Sequence, residues 1–120
     1  MNVSGKSVAL AYKAHIRPQD PNQVIIIHDS LSHKPLALSK KSGGSANGHN
    51  GVISVISHLQ GKDTFHRIRV GIGRPEGSYH GYVLEPLDEK ERRWWGECGE
   101  GVDRTWDIIE DIVRTNVLKK

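Results

Sequence analysis

The chain is poor in the residues that usually advertise chemistry. Its 120 residues hold a single cysteine, Cys98, which excludes an internal disulfide and fits a reducing compartment. There is no cysteine pair and no HExxH-type histidine spacing, so no metal motif is written in the sequence. His28, Asp29 and His49 can still meet in space. There is also no GxSxG, and Cys98 lies in an acidic tail without a basic neighbour to activate it, so nucleophilic catalysis has no support. No apolar run is long enough to span a bilayer, and the N-terminus has no signal-peptide pattern. Internal repeats and low-complexity tracts are absent. The length suits one domain, residues 1–120, with a single core.

What is present is a glycine-rich stretch, Gly43-Gly44-Ser45-Ala46-Asn47-Gly48-His49-Asn50-Gly51. Its glycines let the backbone turn sharply and approach a ligand with no Cβ in the way. The apolar run Val52–Leu59 reads as a buried helix with Asn50 as its N-cap. A glycine loop opening a helix leaves free N–H groups and a positive dipole end for an anionic or carbonyl oxygen. A tight turn with a good cap explains the same stretch.

Charge is uneven along the chain. The formal net charge of +3 divides into ten Lys/Arg against four Asp/Glu in residues 1–84 and seven against ten in 85–120. The first part is the one suited to phosphate, and the second reads as a solvated helical face.

Taken in order, Lys6–Ile16 shows helical spacing, and Val24–Ile27 reads as a strand buried on both faces. His28 and Asp29 follow at its C-terminal end, where open α/β sheets place their chemistry. Ser30–Pro35 reads as a loop and Leu36–Lys41 as a strand. Phe65–Gly71 alternates, with His66, Ile68 and Val70 on one face and Arg67 and Arg69 forming a cationic stripe on the other. Gly71-Ile72-Gly73 is a weak fragment of a dinucleotide fingerprint, without the third glycine or the following helix. Gly73–Ser78 reads as a loop before the short segment Tyr82–Leu84. A short helix follows over Asp88–Trp95. The final helix carries Val102, Trp106, Ile109, Val113 and Val117 on one stripe, read as core. The alternation gives an α/β fold, a mixed β-sheet flanked by helices.

The chemistry left open by these residues is that of carboxamides with one carboxylate, one imidazole and surrounding cations. Carboxamides orient water or hold a carbonyl, a carboxylate fixes an imidazole tautomer, and cations hold phosphate. That set suits hydrolysis of an ester attached to a nucleic acid.

Met1-Asn2-Val3-Ser4-Gly5, Val24–Asp29, Gly43–Gly51 and Phe65-His66-Arg67-Ile68-Arg69-Val70-Gly71-Ile72-Gly73 resemble, in order and spacing, successive motifs of the bacterial-type peptidyl-tRNA hydrolases. That family cleaves the ester between a peptide and the 3′ end of tRNA without a metal or cofactor. The resemblance implies that Asn2 binds substrate and helps place the water, and that Asp29 orients the catalytic histidine. It implies that His49 and Asn50, with Gly48 beside them, line the substrate cleft. Asn50 positions water there and His49 stands at the peptide-binding rim. Lys41 and Arg69 would clamp the tRNA 5′-phosphate, Gly73–Tyr82 would form a lid, and the last helices would face tRNA. The implied partner is peptidyl-tRNA, with no membrane, a monomeric state, and a cytoplasmic or mitochondrial setting.

Two departures stand out. The family loop after the aspartate reads acidic-Leu-Asp-Leu-Pro-Pro-Gly, and here it is Ser30-Leu31-Ser32-His33-Lys34-Pro35-Leu36. The family's catalytic histidine comes from an N-terminal segment with a Thr-Arg-His-Asn motif, which residues 1–120 do not match. The expectation is therefore a sheet without the family's first strands. The function expected is peptidyl-tRNA hydrolysis with the family's catalytic histidine missing from residues 1–120 or, as the alternative, a catalytically inactive tRNA- or RNA-binding module or a truncated fragment.

Overall fold

The computed structural model describes residues 3–16, 20–44, 46, 49–59, 61, 64–73, 86–96 and 99–118, the side chains of 116–118 apart. The elements are α1 (Gly5–His15), a 3-10 turn at Pro21–Gln23, β1 (Ile25–Ser30), β2 (Leu38–Ser42), α2 (Asn50–His58), β3 (His66–Gly71), α3 (Glu89–Trp95) and α4 (Glu100–Leu118). The predicted lid and the segment Tyr82–Leu84 fall outside the described residues, apart from Gly73.

The strands form one sheet in the order β1-β3-β2. The His66 N–H donates to the Val24 carbonyl and the Ile72 N–H to that of Ser30, so β1 and β3 run parallel. The Gly43 N–H donates to the Phe65 carbonyl and the Gly71 N–H to that of Ala37, so β2 is antiparallel to β3. The sheet is mixed, as the alternation of apolar runs predicts. Central β3 is buried over His66–Ile68, so Arg67 of the cationic stripe is only 2% exposed, while Arg69 is half-buried. β1 is an edge strand among the described residues. Ile27 is accordingly 48% exposed, which corrects the expectation of burial on both faces, and the strand continues through Ser30.

Contacts among the described residues gather into two compact units, Met1–His28 with Lys40–Arg67 and Asp29–Ser39 with Ile68–Lys120. In the first, Tyr12 of α1 meets Val52, Val55 and Leu59 of the α2 segment and Phe65, with Val24 and Ile26 packed against them. α1 comes close to α2 at Gly5. The Gly5 N–H donates to Ser54 Oγ at 3.0 Å, and a methyl group at Gly5 would fall 2.1 Å from the Ser54 carbonyl oxygen.

In the second unit, Asp88 and Glu91 form a reciprocal capping box at the start of α3. Gly101 of α4 lies against Trp94 of α3, where a methyl group would be 2.6 Å from the indole ring. Ile112 is buried and Thr105 and Ile108 are half-buried on the same side of α4, whereas Trp106 is 59% exposed and Val102 and Val113 are exposed with it. Of the predicted core stripe, Ile109 is half-buried and Val102, Trp106 and Val113 are exposed, so that stripe lies at the outer edge of the apolar arc, while the side chain of Val117 lies outside the described residues. The two stripes lie about 100° apart on the helix, and periodicity registers the whole apolar arc without saying which edge is covered. β2 starts at Leu38 rather than Leu36, because Leu36 sits at φ 64° in the left-handed region.

Candidate active site

In the first unit the site grows from the entrance to α2. The N-cap is His49, not Asn50: its Nδ1 accepts the Val52 N–H at 3.1 Å. Sequence reasoning favoured the carboxamide because imidazole is not among the usual caps. An unprotonated Nδ1 satisfies the helix as well as a carboxamide oxygen would. Asn50 becomes the first helical residue, with an exposed side chain. An accepting Nδ1 leaves the proton on Nε2, so His49 is a neutral ring with an N–H donor on its far side.

That ring is braced. His28, at the end of the β1 segment in this unit, is 5% exposed and meets the His49 ring edge to face, with centroids 4.6 Å apart and planes at 64°. The sequence leaves room for His28 and His49 to meet in space, and the strand and the helix entrance bring their rings together.

Lys41, near the end of β2, is the cation beside the glycine turn that leads to α2. Gly43 and Gly44 have φ values of 69° and 83°, which glycine adopts without strain. A methyl group at Gly44 would lie 3.0 Å from Lys41 Cε and 3.4 Å from Nζ, so the lysine stem runs along this turn. The register that pairs Gly43 with Phe65 sets Lys41 opposite Arg67. On the other face the same register pairs Ser42 with His66, Oγ to Nδ1, at 2.8 Å.

In the second unit Asp29 is half-buried between the buried His28 and Ser30 and makes further interactions there. Ser30 Oγ and His33 Nδ1 share a 2.6 Å hydrogen bond that closes the turn after the aspartate. The Gly73 N–H donates to the His33 carbonyl, and a methyl at Gly71 would strike the Lys34 carbonyl oxygen at 2.0 Å, so the turn sits tightly against the end of β3. Arg69 donates from a terminal guanidinium nitrogen to Ser39 Oγ at 2.7 Å. Its Nε is buried with no hydrogen-bond partner among the described residues. Asn2 and Gly48 lie outside the described residues.

The class defined here is an α/β protein with a mixed sheet, a glycine turn ending in a histidine-capped helix, and a carboxylate near the end of a strand. The peptidyl-tRNA hydrolase family model matches residues 1–120, and the chain belongs to that family. It is 41% identical to the peptidyl-tRNA hydrolase of Mycolicibacterium gilvum over 120 residues, covering 98% of this chain and 59% of the relative. It is 34% identical to that of Haemophilus influenzae, covering 99% and 60%. The crystal structure of the peptidyl-tRNA hydrolase from Acinetobacter baumannii superposes with a TM-score of 0.67 at 35% identity, over 78% of this chain and 46% of that one. The chain spans about 60% of the length of these curated relatives.

Proposed function

We propose that this chain acts on peptidyl-tRNA, in the hydrolysis of the ester between the peptide and the 3′ end of the tRNA that returns tRNA from aborted translation. The observation that carries the reading is the family match over every residue of the chain. The His49 cap supports it, because it offers a neutral N–H donor beside the carboxamide of Asn50 at a helix N-terminus, a setting suited to a carbonyl or developing oxyanion. In this reading Asn2 and Asn50 position water and substrate, Gly48 and His49 line the peptide side, and Asp29 orients an imidazole base. Lys41 and Arg69 hold the 5′-phosphate of the tRNA. The reaction uses no metal or cofactor, the protein works as a monomer, and its setting is a compartment where translation runs, cytoplasmic or mitochondrial.

The test is cleavage of an N-acetylated aminoacyl-tRNA. Asp29→Ala and Asn50→Ala should each slow it by roughly 100-fold, the usual worth of a positioned acid–base or oxyanion group. Unchanged rates in both would sink the assigned roles. A second reading, an RNA-binding module, is favoured by one observation: residues 1–84 carry ten Lys/Arg against four Asp/Glu. Saturable binding of the same tRNA without cleavage would select it.

A further inference from the structure

We infer that Ser39 is a positioning residue for Arg69: its hydroxyl holds the guanidinium in the orientation that takes the 5′-phosphate of the tRNA and leaves the positive charge uncompensated. The inference rests on the reading of Arg69 as a residue that holds that phosphate.

Both residues belong to the second unit. The antiparallel register of β2 on β3, marked there by the Gly71 N–H donating to the Ala37 carbonyl, sets Ser39 directly opposite Arg69. Opposed residues of an antiparallel pair project from the same face of the sheet, within reach of each other. Both are half-buried, and a terminal nitrogen of Arg69 donates to Ser39 Oγ at 2.7 Å. The buried Nε of Arg69 holds the stem. It leaves the planar end free to turn about the Cδ–Nε bond, because torsions onto planar groups are broad. The Ser39 bond sets that turn.

The chemistry of the partner matters as much as its place. A carboxylate opposite Arg69 would orient the guanidinium and also neutralise it. A hydroxyl is neutral. It accepts one N–H and leaves the charge, with the other terminal N–H groups, for an anion. Among the described residues no carboxylate pairs with Arg69. A half-buried cation in that state favours an anionic ligand, and a guanidinium already oriented loses little freedom when phosphate binds.

The test compares binding of deacylated tRNA carrying its 5′-phosphate with binding of the same tRNA after that phosphate is removed, using the 120-residue chain. Wild type should prefer the phosphorylated form by about tenfold, the worth of charge-assisted hydrogen bonds. Ser39→Ala should shrink the preference to about threefold and keep affinity for the dephosphorylated tRNA within about twofold, a selective loss that general unfolding would not give. Ser39→Thr, which keeps the hydroxyl, should restore the preference. Arg69→Gln should abolish it, and adding Ser39→Ala to Arg69→Gln should change nothing further. A second readout follows the arginine itself. The Arg69 Nε–H should exchange slowly with water in wild type and Ser39→Thr, and several-fold faster in Ser39→Ala. The proposal is overturned if folded Ser39→Ala keeps the full preference, if it weakens binding equally with and without Arg69, or if it leaves the exchange unchanged. Should no variant distinguish the two tRNAs while Ser39→Ala still speeds the exchange, the positioning role stands and the phosphate reading falls.

Discussion

Tyr12 shows how much a single residue can report. It is buried in the first unit, and its hydroxyl has no hydrogen-bond partner among the described residues. Burial, and secondarily the Asp20 carboxylate, raises the phenol above its ordinary pKa of 10.0. A raised folded pKa means that the stabilisation is complete below pH 10 and drains away as pH climbs through the folded value, because the unfolded chain ionises first. Tyr12→Phe should leave stability at pH 7 unchanged or raise it by up to about 1 kcal/mol, since it removes an unsatisfied hydroxyl. It should also flatten the fall of Tm above pH 10. A loss exceeding 1 kcal/mol at pH 7 would mean that the hydroxyl is bonded after all. Leu36 is the second residue-scale case. A left-handed leucine costs roughly 1–2 kcal/mol relative to glycine, and a β-branched side chain fares worse. Leu36→Ile, equal in volume, should destabilise by about 1–2 kcal/mol in denaturant melts. An unchanged midpoint would contradict the turn geometry. Motif spacing singles out Asp29, His49 and Arg69 as candidates and leaves room for His28 to meet His49, whereas the pairing of Ser39 with Arg69 exists only once strand register is set.

At the scale of the element, the extents of α1, α2, α3 and β3 follow closely from periodicity and breakers, and the errors concern faces and caps. α4 is the clearest. Its apolar arc holds both the covered stripe through Thr105, Ile108 and Ile112 and the open one through Val102, Trp106 and Val113. Ile112→Ala should therefore cost about 2–5 kcal/mol, while Trp106→Ser should stay within about 0.5 kcal/mol. The reverse ranking in thermal melts would restore the stripe read from sequence. Gly5 is equally diagnostic. Gly5→Ala places a methyl against the backbone carbonyl of Ser54, which cannot move without parting the two helices, and should cost about 1–3 kcal/mol. A neutral substitution would mean that the helices are not held so closely. β1 was read as buried on both faces because an unbroken run of isoleucines carries no alternation. Strand order, which decides burial, is a non-local property.

For the whole molecule, the uneven charge is the feature most directly tied to the proposed ligand. The first 84 residues carry a net +6 from ten Lys/Arg and four Asp/Glu, and this part includes Lys41 and Arg69. Binding to tRNA should weaken linearly in log affinity against log salt, and Arg69→Gln should reduce that slope by about one. The α/β class and the mixed sheet were legible from the order of apolar runs, whereas the grouping into two compact units was not, since it depends on which segments touch. Among the described residues no helix is long and apolar enough to cross a membrane. The most direct test of the central claim is equilibrium binding of N-acetylaminoacyl-tRNA and of deacylated tRNA to one preparation of the 120-residue chain, with its thermal unfolding followed alongside. A cooperatively folding chain that binds both, and prefers the acylated form by about tenfold, the worth of one or two net hydrogen bonds, is the predicted result. A cooperatively folding chain that binds neither would contradict it.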